Sequence, residues 1–321
     1  MGRRWRCAVS LIASASLQEL WAPLGRGRFE EEVFMVIVGY IDESYSDEKP
    51  PLTFGLACLF AYGAEWTWID LAWKKLLDDK NEELTAAGRK PLTRVHAVDM
   101  SNFAEDFEGW TPEERIEFTA KIVSIFARHH VFGMGCTMSL QDVAEIWGVK
   151  DPKLFAYFTI LKYLMLQTGD LLRELFSSLQ PVTLIHDRCA YDTTYLNAFN
   201  SMINDLKFRD RKLFTAIAPQ GWEMCRPLQV ADFVAYEVMK EAHRLEPDVR
   251  RIKERNRRIS LSELLKQNSF RGIAYHIEKE SIQQIKDNVD ARTKARLEAE
   301  QGVAEIQQSH EGNTSSQSTG S

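Results

Sequence analysis

Asp42 and Glu43 follow directly on a nine-residue apolar run, Val33 to Ile41. Asp187 ends a short apolar segment, Val182 to His186, and Asp232 lies within the apolar stretch that starts at Leu228. An ionised carboxylate beside a hydrophobic strand or helix is costly to desolvate unless a cation or hydrogen-bond donors compensate it. Several of them converging would form a divalent-metal site. Hard cations such as Mg²⁺ and Mn²⁺ take oxygen ligands, and a pair of them can clamp the attacking and leaving oxygens of an in-line phosphoryl displacement. Each aspartate alone is equally well explained as a turn or cap residue. As a set, they point to metal-dependent phosphodiester hydrolysis.

Other chemistries find less support. The chain has no Gly-x-x-x-x-Gly-Lys phosphate loop, no Gly-x-Gly-x-x-Gly fingerprint and no Gly-x-Ser-x-Gly elbow, and Ser44 has no evident base. Cys7, Cys58, Cys136, Cys189 and Cys225 are widely separated, with neither a Cys-x-x-Cys pair nor a histidine at zinc-clip spacing. Free, packed thiols in a reducing cytoplasm are expected. No apolar run approaches the roughly 18 residues of a membrane span.

The elements that must position the carboxylates follow from periodicity. The 321 residues are 45% hydrophobic and 11% aromatic, enough for one substantial domain with tails. Val33 to Ile41, the polar turn 45–51 and the run Leu52 to Ala61 predict an antiparallel hairpin. Trp66, Ile69, Trp73, Leu76 and Leu77 have helical spacing over Ala64 to Lys80, a core stripe followed by a polar loop from Asn81 to Pro91. Thr111-Pro112-Glu113-Glu114 starts a helix that runs to about Arg128. Further strands are expected at Arg94 to Ala97, Val131 to Ser139, Val182 to His186 and Lys212 to Ala218. Further helices are expected from Pro152 to about Leu179, over 192–206, and from Leu228 to Arg244. This order predicts an α/β domain with a mixed central sheet flanked by helices.

Strand ends in an open α/β sheet face one crevice, so Asp42 and Asp187 can meet there if their strands are neighbours. On the helix from Leu228, Val230, Phe233, Val234 and Val238 define a buried face at about 100° per residue, and Asp232 groups with Gln229, Tyr236 and Met239. Asp232 should then flank the crevice. Glu237 points about 140° away and is a poor partner.

Three segments carry a family resemblance: Tyr40-Ile41-Asp42-Glu43-Ser44, Leu184-Ile185-His186-Asp187-Arg188, and Leu228-Gln229-Val230-Ala231-Asp232-Phe233-Val234-Ala235-Tyr236. Over roughly residues 36 to 243 the chain resembles the domain of unknown function 3800 family, bacterial and phage proteins thought to be ribonuclease H-like. The Gln-x-Ala-Asp-Phe-x-Ala-Tyr segment is the most specific part. Tyr45 stands where members often carry Gly. The resemblance implies a ribonuclease H-like fold with helical insertions and metal-binding, catalytic roles for Asp42, Asp187 and Asp232. Glu43 is a further candidate ligand if the strand ends or bulges there, since alternation otherwise turns it to the opposite face. His96 and Asp99, in Arg94-Val-His-Ala-Val-Asp-Met100, resemble a second family motif and are candidate accessory residues. Gln229 beside Asp232, and Arg188 as a phosphate contact, complete the accessory set.

The formal net charge of −6 excludes a globally basic nucleic-acid coat but not local patches. Lys207, Arg209, Arg211 and Lys212 form one patch; six cations in the nine residues from Arg250 to Arg258 form another. Arg251, Arg255 and Arg258 are the expected nucleic-acid contacts, on a basic helical extension over 246–290. Residues 291–321, rich towards the end in Ser, Thr, Gly, Gln and Asn, are expected to be a disordered tail. Glu31-Glu32-Val33 can be encoded by a purine-rich sequence resembling a bacterial ribosome-binding site, so Met35 is the expected start and residues 1–34 a translated leader. The expected function is a cytoplasmic Mg²⁺- or Mn²⁺-dependent nuclease; the alternative is a non-catalytic nucleic-acid-binding or accessory protein of a mobile element or defence system. Oligomeric state stays open.

Overall fold

The structure is a computed structural model and describes residues 36–46, 52–175, 180–245 and 270–295. Its centre is a six-stranded mixed sheet built on the expected hairpin. Strands β1 (Ile37–Tyr45), β2 (Thr53–Tyr62) and β3 (Val131–Ser139) form an antiparallel meander. On the other side of β1, β4 (Val182–Asp187) runs parallel to it, and β5 (Phe214–Gln220) runs parallel to β4. At the opposite edge β6 (Phe270–Ile277) runs parallel to β3, giving the order β5-β4-β1-β2-β3-β6.

Alternation along β1 divides the core. Ile37 and Ile41 join one hydrophobic cluster with Phe54, Leu56 and Leu184, whereas Tyr40 joins a second with Leu59 and Phe233. The first cluster is covered by α4 (Leu140–Trp147), α5 (Pro152–Leu175) and α6 (Asp192–Ile203). The second is covered by α1 (Gly63–Ala86), α3 (Pro112–Phe126) and α7 (Pro227–Leu245). Among the described residues, no helix is long and apolar enough to cross a membrane.

Helix α7 is buried around its whole circumference from Leu228 to Ala235, not along one stripe as its periodicity predicts. It lies across β1, β2 and β3 and is itself covered by α1 and the short helix α2 (Ala97–Asn102). An apolar residue therefore finds packing on every side. Gly135 permits the close approach, because a Cβ there would fall 2.6 Å from Val238 Cγ1.

Three other expectations are corrected. Helix α1 continues through the supposed loop to Ala86 because Leu84 re-enters the core while Lys80, laid over Trp110, pairs with the exposed Glu83; it stops before Gly88, at φ +68°. The expected strand at Arg94 to Ala97 does not join the sheet. Its alternate N–H groups instead meet side chains of α7: Val95 N donates to Gln229 Oε1 (2.9 Å) and Ala97 N to Asp232 Oδ2 (2.7 Å). The supposed helical extension over 246–290 contains β6, whose Tyr275 and Ile277 enter the first cluster, before a helix over 279–295 that buries Ile282. The body thus extends past residue 245. The expected start of α3 is present and is closed by a capping box, with Thr111 and Glu114 bonding each other's backbone N–H. The expected leader at 1–34 and the run Arg250 to Arg258 lie outside the described residues.

Candidate active site

Strands β1 and β4 are parallel neighbours paired as far as Ile41 and His186, so Asp42 and Asp187 are the next residues along each. Asp187 is the last residue of β4, whereas β1 runs on to Tyr45 paired only with β2. Asp42 thus lies within its strand, contrary to expectation, and reaches solvent because β4 stops beside it. From above this face α7 contributes Asp232, only 6% exposed. The three aspartates share a cleft of about 390 Å³ with Glu43, Arg94, His96, Trp222 and Gln229.

The carboxylates of this cleft are only partly compensated, chiefly by Arg94. Burial, then the charges of Asp232, Glu43 and Asp187, push the Asp42 carboxyl well above the carboxylate range, although Glu43 N–H donates to Asp42 Oδ1 at 2.8 Å. Burial raises Asp232 to about 6 against the opposing pull of His96, the Ala97 N–H and Arg94. Burial also raises Asp187, against the Arg188 N–H (2.9 Å), Arg94 and the Trp222 N–H. One polar atom at the cleft, Ser44 Oγ, and one across the sheet, Glu43 Oε2, are buried without a hydrogen-bond partner. Three carboxylates facing one cleft, with the orphaned Ser44 hydroxyl beside them, offer the hard oxygens that a divalent cation takes.

The remaining candidates separate by position. Pairing of β1 with β2 is regular through Glu43, with no bulge, so alternation turns Glu43 away from Asp42. Its charge is felt across the sheet by Tyr157, Cys189 and Tyr195, while burial raises its own carboxyl to about 7. Glu43 reaches the cleft at its rim. His96 lines the wall, and its Nδ1 is 2.6 Å from Asp99 Oδ2; Asp99 stands behind it, outside the lining. Gln229 is a structural tie, since its Oε1 accepts from both Trp73 Nε1 (3.1 Å) and Val95 N. Arg188 is exposed and not part of the lining. Arg251, Arg255 and Arg258 lie outside the described residues.

Arg94 and Trp222 are the cleft residues that the sequence did not indicate. The Arg94 guanidinium sits over the Trp222 indole, 4.6 Å from the ring centroid. The two residues come from segments 128 positions apart in the numbering, and only the hydrogen bonds of 95–97 to α7 bring Arg94 there.

A second set of donors lies across the sheet. One ligand atom each from His186, Cys189 and Asp192 come within 4.8 Å of one another. These groups are already engaged: Asp192 Oδ1 accepts from Cys189 N (3.0 Å), and His186 Nδ1 is 2.9 Å from the Asp187 carbonyl. Burial and the Glu43 charge hold the Cys189 thiol up at about 12. The cluster staples the turn between β4 and α6. No family model matches the chain, and no curated protein matches it.

Proposed function

We propose that this protein is a divalent-metal-dependent nuclease with a ribonuclease H-like fold that hydrolyses nucleic-acid phosphodiesters using Mg²⁺ or Mn²⁺. The observation that carries the proposal is the meeting of Asp42, Asp187 and Asp232 in one cleft, where the charges of Asp232 and Asp187 add to burial in raising the proton affinity of Asp42. An antiparallel meander whose first strand is flanked by parallel β4 and β5 supports the fold assignment. The resemblance of the Asp232 segment to the domain of unknown function 3800 family points the same way.

Asp42, Asp187 and Asp232 would hold the metal, with Glu43 at the rim. A divalent ion there supplies Lewis-acid polarisation of the phosphoryl group and neutralises its developing charge. Arg94 offers a phosphate a guanidinium beside the carboxylates. His96, its imidazole oriented by Asp99, leaves Nε2 to exchange a proton with the leaving oxygen.

The test is hydrolysis of single- and double-stranded DNA and RNA in Mg²⁺ or Mn²⁺ by wild type, Asp42→Asn and Asp232→Asn. We expect each variant to lose about 100-fold or more, the scale of one lost transition-state electrostatic contact. Full activity in Asp232→Asn would remove that residue from the site. Metal binding without hydrolysis of any substrate would favour the accessory-protein alternative.

A further inference from the structure

Trp222 is unusual among the aromatic residues of the cleft. Tyr45 is packed against the core and bonds Tyr157 through its hydroxyl (2.7 Å), but Trp222, half-buried, belongs to none of the hydrophobic clusters. The indole lies at the wall of the cleft and outside the core clusters, yet it is held by polar neighbours. Its backbone N–H faces the Asp187 carboxylate and lowers its proton affinity, and Arg94 caps its ring. Two residues on, Met224 is 87% exposed, so the turn presents apolar surface beyond what the fold uses.

We propose that Trp222 and Arg94 form a platform that stacks an unpaired base beside the carboxylates, making single-stranded nucleic acid the substrate class. This rests on the nuclease function proposed above and specifies its substrate. A flat ring with one face on a guanidinium stacks any nucleobase, while the guanidinium edge meets the adjoining phosphate. In a duplex interior both faces of a base are covered by its neighbours, so the base reaches the indole only when unpaired and unstacked. Because the Trp222 backbone N–H faces the Asp187 carboxylate and both residues line one cleft, a base stacked on the indole places its strand beside the carboxylates.

The test is an anisotropy titration of full-length Asp42→Asn protein in Mg²⁺, with labelled single-stranded DNA, single-stranded RNA, an abasic strand of equal length and a blunt duplex. Adding Trp222→Ala should weaken single-strand binding by about 5- to 150-fold, the range for base–aromatic stacking. Trp222→Phe should restore it to within about threefold, and Trp68→Ala, at an exposed site on α1, should change nothing. Abasic and duplex affinities should be unmoved by Trp222→Ala. Whether the DNA strand, the RNA strand or both respond identifies the sugar. Unchanged single-strand binding, or equal weakening on the abasic strand, would overturn the platform while leaving the nuclease function standing. If neither wild type nor Asp42→Asn binds any of the four, the nuclease function fails and this inference with it.

Discussion

Asp210 and Asp232 are equally buried, each 6% exposed, and differ in what faces them. Asp210 lies before β5 in the space left by Gly169 and bonds Arg173 of α5, with Arg209 Nε 3.9 Å from its second oxygen. Asp232 receives one backbone N–H, and the carboxylates of Asp42 and Asp187 share its cleft. The first is a closed ion pair that demands nothing further. The second leaves negative charge concentrated at an opening, a state that a bound cation relieves. Burial of a carboxylate therefore does not identify a site; the lack of a direct ion pair, with several carboxylates sharing one guanidinium, does.

This contrast can be broken most directly at Asp210. Replacing Arg173 by Met should strand a buried carboxylate and cost about 3–5 kcal/mol in urea unfolding, without changing activity per folded molecule. A loss well under ~1 kcal/mol would mean that Arg209 or solvent suffices.

Asp232→Asn should act in the opposite direction. A folded carboxyl raised to about 6 from the ordinary 3.8 binds more protons than the unfolded chain between those values. In chelator its contribution is fully present below the unfolded value and is lost as pH rises through 6. At pH 8 the charged form therefore costs about 3 kcal/mol, which Asn removes while still accepting from Ala97 N. Chemical denaturation at pH 5 and pH 8 reads this; a destabilised variant at pH 8 would refute incomplete compensation of that charge.

Mg²⁺ or Mn²⁺ should raise the stability of wild type saturably, by about 2.7 kcal/mol at 100 times the dissociation constant. The gain should vanish in Asp42→Asn and persist in Arg173→Met. Thermal melts against metal concentration decide it, and an equal gain in all three proteins would place the cation elsewhere.

The smallest effect is expected at Gln229→Leu, which leaves Trp73 Nε1 and Val95 N without their acceptor and should cost about 1–3 kcal/mol. Metal-induced stabilisation should survive, because Gln229 ties the 92–97 segment and carries no charge. Loss of the metal response would make it part of the site.

Much of this was fixed locally. Apolar periodicity marked the hairpin, β3, β4 and α7, since a strand or helix must bury the face its pattern defines. Neighbouring parallel strands made Asp42 and Asp187 adjacent as expected, and the spacing on α7 put Asp232 beside Gln229. What the sequence left open was set by partners far along the chain. The extended segment at Arg94 to Ala97 has strand-like residues, but its N–H groups found the side chains of Gln229 and Asp232 instead of a neighbouring strand. That choice brought Arg94 over Trp222, which neither local segment indicates. The exposure of Asp42 depends on where β4 stops, and the place of β6 depends on the open edge of β3. Backbone hydrogen bonding and charge compensation are settled between segments, so only the tertiary structure could distinguish Asp232 from the equally buried Asp210.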